Sequence, residues 1–171
     1  MSVSEHKQKA PDCVVCAVIT VSDTRTKETD KSGAAMHTFL QEEGHSVEFY
    51  TIVKDEQKDI TAAVERAASH PAIQVILLNG GTGMASRDVT IETVTALFEK
   101  ELIGFGELFR MISYLEDIGS AAMLSRAAAG TYKGRMIFAT PGSTGAVRLA
   151  MKKLIMPELG HLVRELGKDQ L

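Results

Sequence analysis

The order of apolar and polar residues divides the chain into alternating strand-like and helix-like stretches. Val14–Val21 is an almost unbroken β-branched and apolar run, the pattern of a strand covered on both faces. After a polar loop, Ser22–Lys31, the residues Met36, Phe39 and Leu40 fall on one helical face and Gly44 supplies the stop. Ser46–Val53 predicts a second strand. Asp59 then caps a predicted helix that buries Ile60, Ala63, Val64 and Ala67, and Pro71 closes the unit. Gln74–Asn79 predicts a third strand that runs directly into Gly80-Gly81-Thr82-Gly83. Thr90 is read as the cap of a helix with Ile91, Val94, Leu97 and Phe98 inward, broken at Gly104. The next helix carries a broad apolar stripe of Phe105, Leu108, Phe109, Met111, Ile112 and Leu115, and another helical piece is predicted from about Ser120 to Ala129. Arg135–Thr140 predicts a last strand entering Pro141-Gly142-Ser143-Thr144-Gly145, followed by the final helices. Helices between strands imply a largely parallel sheet covered on both faces, whose ligands bind outside the carboxyl ends of the strands.

Length and charge narrow the function classes. At 171 residues the chain predicts one domain, residues 13–171, behind a polar tail of residues 1–12 that lacks the apolar core and cleavage site of a secretory signal. The longest apolar stretch is far too short to cross a bilayer, so the expectation is a cytoplasmic protein without a membrane partner. With 19 basic against 22 acidic residues, no broad field exists for a nucleic-acid backbone, and nucleic acid is not expected as a partner. The two cysteines, Cys13 and Cys16, have redox or zinc spacing. They lead into a strand rather than a helix N-terminus, however, and no second pair completes a zinc set, so they are read as inert.

The loops after the strands carry the candidate chemistry. Gly80 to Gly83 allow backbone N–H groups to converge on a phosphate, and Thr82 adds a hydroxyl. The same glycines are equally readable as a plain turn. The loop lacks the Lys-Ser/Thr ending of a P-loop and the third glycine of a dinucleotide fingerprint, which disfavours a nucleotide-binding oxidoreductase. Asp55 and Asp88 lie in neighbouring post-strand loops, where Mg²⁺ would reconcile two carboxylates with a phosphate cradle; chain turning and helix capping are their ordinary alternatives. Ser125-Arg126 interrupts a run of small apolar residues and offers either planar donors to an anion or a buried structural ion pair. Pro141-Gly142-Ser143 serves either as a helix start or as a second phosphate or ribose contact.

Taken together, Ile19–Arg25, Asp30-Lys31-Ser32-Gly33, Asp55-Glu56, Gly80–Gly83 with Arg87-Asp88-Val89-Thr90, Gly104–Arg110, Leu124–Gly130 and Pro141-Gly142-Ser143 resemble the MoaB/Mog family of molybdenum cofactor biosynthesis proteins. The resemblance runs from Val14 to about Leu159, and Pro141-Gly142-Ser143-Thr144 is most similar to the MoaB branch. Asn79 stands where the family has Thr, and Ile91 where it has Pro.

The resemblance implies a three-layer α/β/α fold with a mixed five-stranded sheet, assembled as a trimer or hexamer. It implies adenylylation of molybdopterin by Mg²⁺-ATP with release of pyrophosphate, or, alternatively, a noncatalytic molybdopterin-binding or assembly role in the same pathway beside other biosynthesis proteins. Asp55, Asp88 and Ser125 are then the expected catalytic residues, with Asp55 and Asp88 holding Mg²⁺. Ser22, Asp23, Gly80, Gly81, Thr82, Gly83, Arg126, Pro141, Gly142 and Ser143 are the expected substrate and phosphate contacts. The excess apolar surface after Gly104 separately predicts burial between subunits.

Overall fold

The computed structural model describes residue 11 and residues 13–168; apart from residue 11, the expected tail lies outside the described residues. Six strands form one sheet in the order β2-β1-β3-β6-β5-β4. They are β1 (Val15–Val21), β2 (Ser46–Val53), β3 (Val75–Asn79), β4 (Lys100–Glu101), β5 (Ala128–Tyr132) and β6 (Arg135–Thr140). The first four in spatial order run parallel, while β5 and β4 are antiparallel additions at one edge. The helices are α1 (Lys31–Glu42), α2 (Gln57–Ser69), α3 (Thr90–Leu97), α4 (Ile103–Ser113), α5 (Thr144–Ala150) and α6 (Met156–Leu166).

Alternation along the strands sorts the core into two halves. Val14, Cys16, Val18, Val75, Leu77, Met136 and Phe138 face a cluster built with α1, α4, α5 and α6. Ala17, Ile19, Val21, Ile76, Leu78, Ile137 and Ala139 face the other cluster, built with α2 and α3. The central strands are apolar along most of their length because both faces are covered, which gives the three-layer α/β/α architecture. Among the described residues no helix is long and apolar enough to cross a membrane.

Six strands rather than the expected five arise where the sequence predicts helix over residues 120–129. A 3₁₀ turn, Gly119–Leu124, gives way to strand β5, which pairs Ala128 with Ala139 and Gly130 with Ile137. Alanine favours helix in isolation, but here small residues are needed for contact: a Cβ on Gly130 would lie 2.4 Å from the Phe98 ring. The hairpin closes through Lys133-Gly134, both at positive φ, the conformation of a two-residue turn.

Helix starts also differ from expectation. Asp59 lies in the first turn of α2, whose cap is Glu56, and Thr90 begins α3 without a side-chain cap bond. Asp30 caps α1 by accepting from Gly33 N, and Ser143 caps α5 by accepting from Ala146 N.

Sheet register sets the level of the site. Thr20, Asn79 and Thr140 are Cα partners across β1, β3 and β6, and all three are fully buried. The loops beginning at Val21, Gly80 and Pro141 therefore leave the sheet side by side. β1 sends its chain to β2 on one side and has β3 on the other, so the crevice between β1 and β3 is the topological switch point where ligands of such sheets bind.

Candidate functional site

A cleft of about 340 Å³ opens above that rung. The glycine loop, Gly80 to Gly83, forms one wall, and Ser22 and Arg25 form another. Pro141 and Gly142 close the back, while Asp88, Leu124 and Ser125 stand at the rim. The walls touch through backbone: a Cβ on Gly142 would lie 2.9 Å from Gly80 Cα. Gly80 and Gly81 adopt φ of 96° and 61°, and Gly80 N donates to Thr140 O at 3.1 Å, tying the loop to the end of β6.

Three carboxylates gather on the glycine side. A Cβ on Gly81 would meet Thr90 Oγ1 at 2.4 Å and Asp55 Oδ1 at 2.6 Å, so both oxygens lie against the same face of that glycine. Asp88 Oδ2 lies against Gly83 and accepts from Ala85 N at 2.9 Å. Asp23 Oδ1 accepts from Asp55 N at 3.2 Å. Partial burial, followed by the charges of Asp23 and Asp88, raises the Asp55 carboxyl above its usual range. Thr90 Oγ1 is buried and has no hydrogen-bond partner among the described residues.

An extra oxygen ligand beside crowded carboxylates is a donor set that fits a hard cation. No cluster of three or more His, Cys, Asp or Glu side chains among the described residues has ligating geometry. Asp55 and Asp88 are the two carboxylates beside the glycine loop that could hold such a cation.

Arg126 does different work from the anion contact expected of it. Its Nε donates to Thr82 O at 2.8 Å, its Nη2 to Gly83 O at 2.8 Å and to Asp88 O at 3.2 Å, and its Nη1 pairs with Glu92. The side chain thus braces the glycine loop from behind. Ser143 is engaged in capping α5, and Asp23 is exposed beside Asp55; neither of them, nor Asp55 itself, is among the residues that line the cleft. Ser125 does line it, beside Leu124.

Sequence reasoning passed over a buried network beneath the cleft. Asp30 Oδ2 accepts from Thr20 Oγ1 and from Tyr50 Oη, each at 2.6 Å, and Oδ1 accepts from Gly33 N at 2.9 Å. Although burial opposes it, this set of hydrogen bonds holds the Asp30 carboxyl below its usual range. Asn79 Nδ2 donates to Thr20 Oγ1 at 2.9 Å, and Asn79 Oδ1 accepts from Ser32 Oγ at 2.8 Å. The departure at Asn79 therefore lies under the cleft floor. Ile91 occupies the first turn of α3, where no backbone N–H has an intrahelical acceptor, so Pro and Ile are both compatible. Cys16 is buried in β1, and that burial pushes its thiol up to about 12.

The family model described as "Probable molybdopterin binding domain" matches residues 17–161. Molybdenum cofactor biosynthesis protein B of Bacillus subtilis is 61% identical over 99% of this chain and 100% of its own length. A crystal structure of a molybdenum cofactor biosynthesis protein B superposes with a TM-score of 0.91 at 59% identity, covering 94% of this chain and 99% of that one. The tungsten cofactor synthesizing protein MoaB from Pyrococcus furiosus superposes with a TM-score of 0.83 at 36% identity, covering 92% and 99%. With fold and sequence in accord along nearly its whole length, the chain belongs to the MoaB/Mog family of molybdenum cofactor biosynthesis proteins, on its MoaB side.

Proposed function

We propose that this protein adenylylates molybdopterin. A phosphate oxygen of the pterin attacks the α-phosphorus of ATP; the new phosphorus–oxygen bond forms as the bond to the bridging oxygen breaks, and pyrophosphate leaves with the electron pair. The observation that carries this reading is the meeting of the glycine loop, the Ser22 loop and the Pro141 turn around one cleft with carboxylates on its glycine side. No protein nucleophile is needed, because the chemistry depends on aligning two anionic reactants and stabilising the leaving charge. Asp55 and Asp88 are the residues that would hold Mg²⁺, which when bound screens phosphate repulsion. Backbone N–H groups of Gly80 to Gly83 and the hydroxyl of Ser125 orient the phosphates. Arg126 keeps the loop in the shape that orientation requires.

Replacing Asp88 by Asn preserves the acceptor for Ala85 N and removes only the charge. Pyrophosphate release with molybdopterin, ATP and Mg²⁺ should fall by at least about tenfold, about 1.4 kcal/mol of barrier, while the melting temperature stays near the parent value. Undiminished release by this variant removes Asp88 from the reaction. Pterin binding with no turnover by the unaltered protein instead supports the noncatalytic role.

The same reading includes association of identical copies, as a trimer or hexamer, through the apolar face that follows Gly104. Leu108, Met111, Tyr114 and Leu115 are all about half exposed or more.

A further inference from the structure

We propose that Arg25 is the anion-binding side chain of the cleft, held in place by a buried carboxylate, and that its ligand is a phosphate group carried by the substrate. Of the residues lining the cleft, Arg25 is the one cation. Asp88 also lines the cleft, and its charge is felt by Asp55 nearby, so these carboxylates by themselves repel an anionic ligand. A cation among the lining residues gives such a ligand a defined end. Arg126 cannot serve this purpose, because its guanidinium is turned onto the carbonyls behind the loop and onto Glu92.

The guanidinium of Arg25 is both anchored and accessible. Nη1 lies 3.4 Å from Asp30 Oδ1 and bonds Ser32 Oγ, while Nη2 donates to Gly142 O at 2.9 Å. Nε has no partner among the described residues. The Asp30 side chain is 0% exposed and that of Arg25 is 31% exposed, so one partner is fixed in the core and the other reaches solvent. Thr20, Tyr50 and Gly33 N lock Asp30 in turn. A guanidinium oriented in advance loses little side-chain freedom when it binds, and its planar fork matches two phosphate oxygens. The bond to Gly142 O has a second effect: it ties the loop after β1 to the turn after β6, so the residue that binds the anion also sets the width of the cleft. This inference shares with the proposed function only the premise that the ligand carries phosphate.

The test is binding of pyrophosphate, phenyl phosphate and adenosine to the full-length protein by calorimetry, comparing Arg25 with Arg25→Met and Arg25→Lys. Met should weaken the phosphate probes by about tenfold or more and leave adenosine unchanged, and Lys should recover part of the loss. Pyrophosphate affected more than phenyl phosphate assigns Arg25 to the polyphosphate end; the reverse assigns it to the monoester on the other reactant. Where a variant fails to fold, modification of the unaltered protein by phenylglyoxal decides, read by mass spectrometry. Pyrophosphate should slow reaction at Arg25 and not at Arg66, which lies on the outer surface of α2. Equal pyrophosphate affinity in a folded Met variant, absence of phosphate binding by the unaltered protein, or unslowed modification of Arg25 overturns the proposal. Turnover by the unaltered protein with unchanged KM values in the Met variant sinks this inference and leaves adenylylation standing. Arg25-dependent binding without turnover does the opposite.

Discussion

Asp30 illustrates how much of the site rests on a residue that never touches the cleft. Its hydrogen bonds favour the ionised carboxylate, so its folded-state acidity is stronger than that of the unfolded chain. The stabilisation it gives is complete above the unfolded carboxylate range, near pH 4, and is lost as pH falls through the lower folded value. Asp30→Asn should therefore cost on the order of 2 kcal/mol at neutral pH and flatten the acid limb of stability, measured by urea unfolding between pH 2.5 and 7. An unchanged acid limb would remove Asp30 from that role. Asp55, Asp88 and the glycines could be picked out in the sequence as candidates because they stand in the loops that follow apolar strands. The contacts of Arg25 and Asp30 could not: both stand in stretches that carry the family resemblance, but only the fold brings Tyr50, from another strand, against Asp30. Arg126 was half legible, with the alternative of a structural tie left open that its contacts now fill.

At the level of elements, the glycine loop is the part whose shape tolerates least change. Gly81 combines a left-handed φ of 61° with two oxygens standing where a side chain would go. Gly81→Ala should lose about 1–3 kcal/mol of stability from backbone strain and displaced neighbours. Pyrophosphate release should fall at least about tenfold, since Asp55 and Thr90 must move to admit the methyl group; a variant with parent-like stability and turnover would show that the loop yields freely. The central strands were readable from period and composition, because burial on both faces leaves an apolar run. β5 was not, since its alanines and Gly130 are chosen for close contact with β6 and Phe98 and carry no alternating signature. The start of α3 was misplaced for a related reason: Thr90 N donates to Gly81 O, so that threonine serves the loop before it serves the helix.

Over the whole molecule, the apolar stripe after Gly104 splits into two destinations. Phe105 and Phe109 enter the core, whereas Leu108 is 49% and Leu115 65% exposed. A face of this kind is expected to be covered by another protein surface. Glu at both positions 108 and 115 should weaken self-association at least about a hundredfold through burial of uncompensated charge. Sedimentation would read the change, with the far-ultraviolet spectrum unaltered; a parent-like sedimentation profile would place the interface elsewhere. Sequence periodicity located the stripe, but solvent exposure alone separates its core half from its outer half. The rung formed by Thr20, Asn79 and Thr140 has a consequence for biosynthesis of the chain. Its members are about sixty residues apart at each step, so the third is made well after the other two. A nascent chain thus carries the glycine loop and the Ser22 loop before the Pro141-Gly142 turn that closes the back of the cleft exists. A ligand that needs all three loops can therefore bind only once the last parallel strand has joined the sheet.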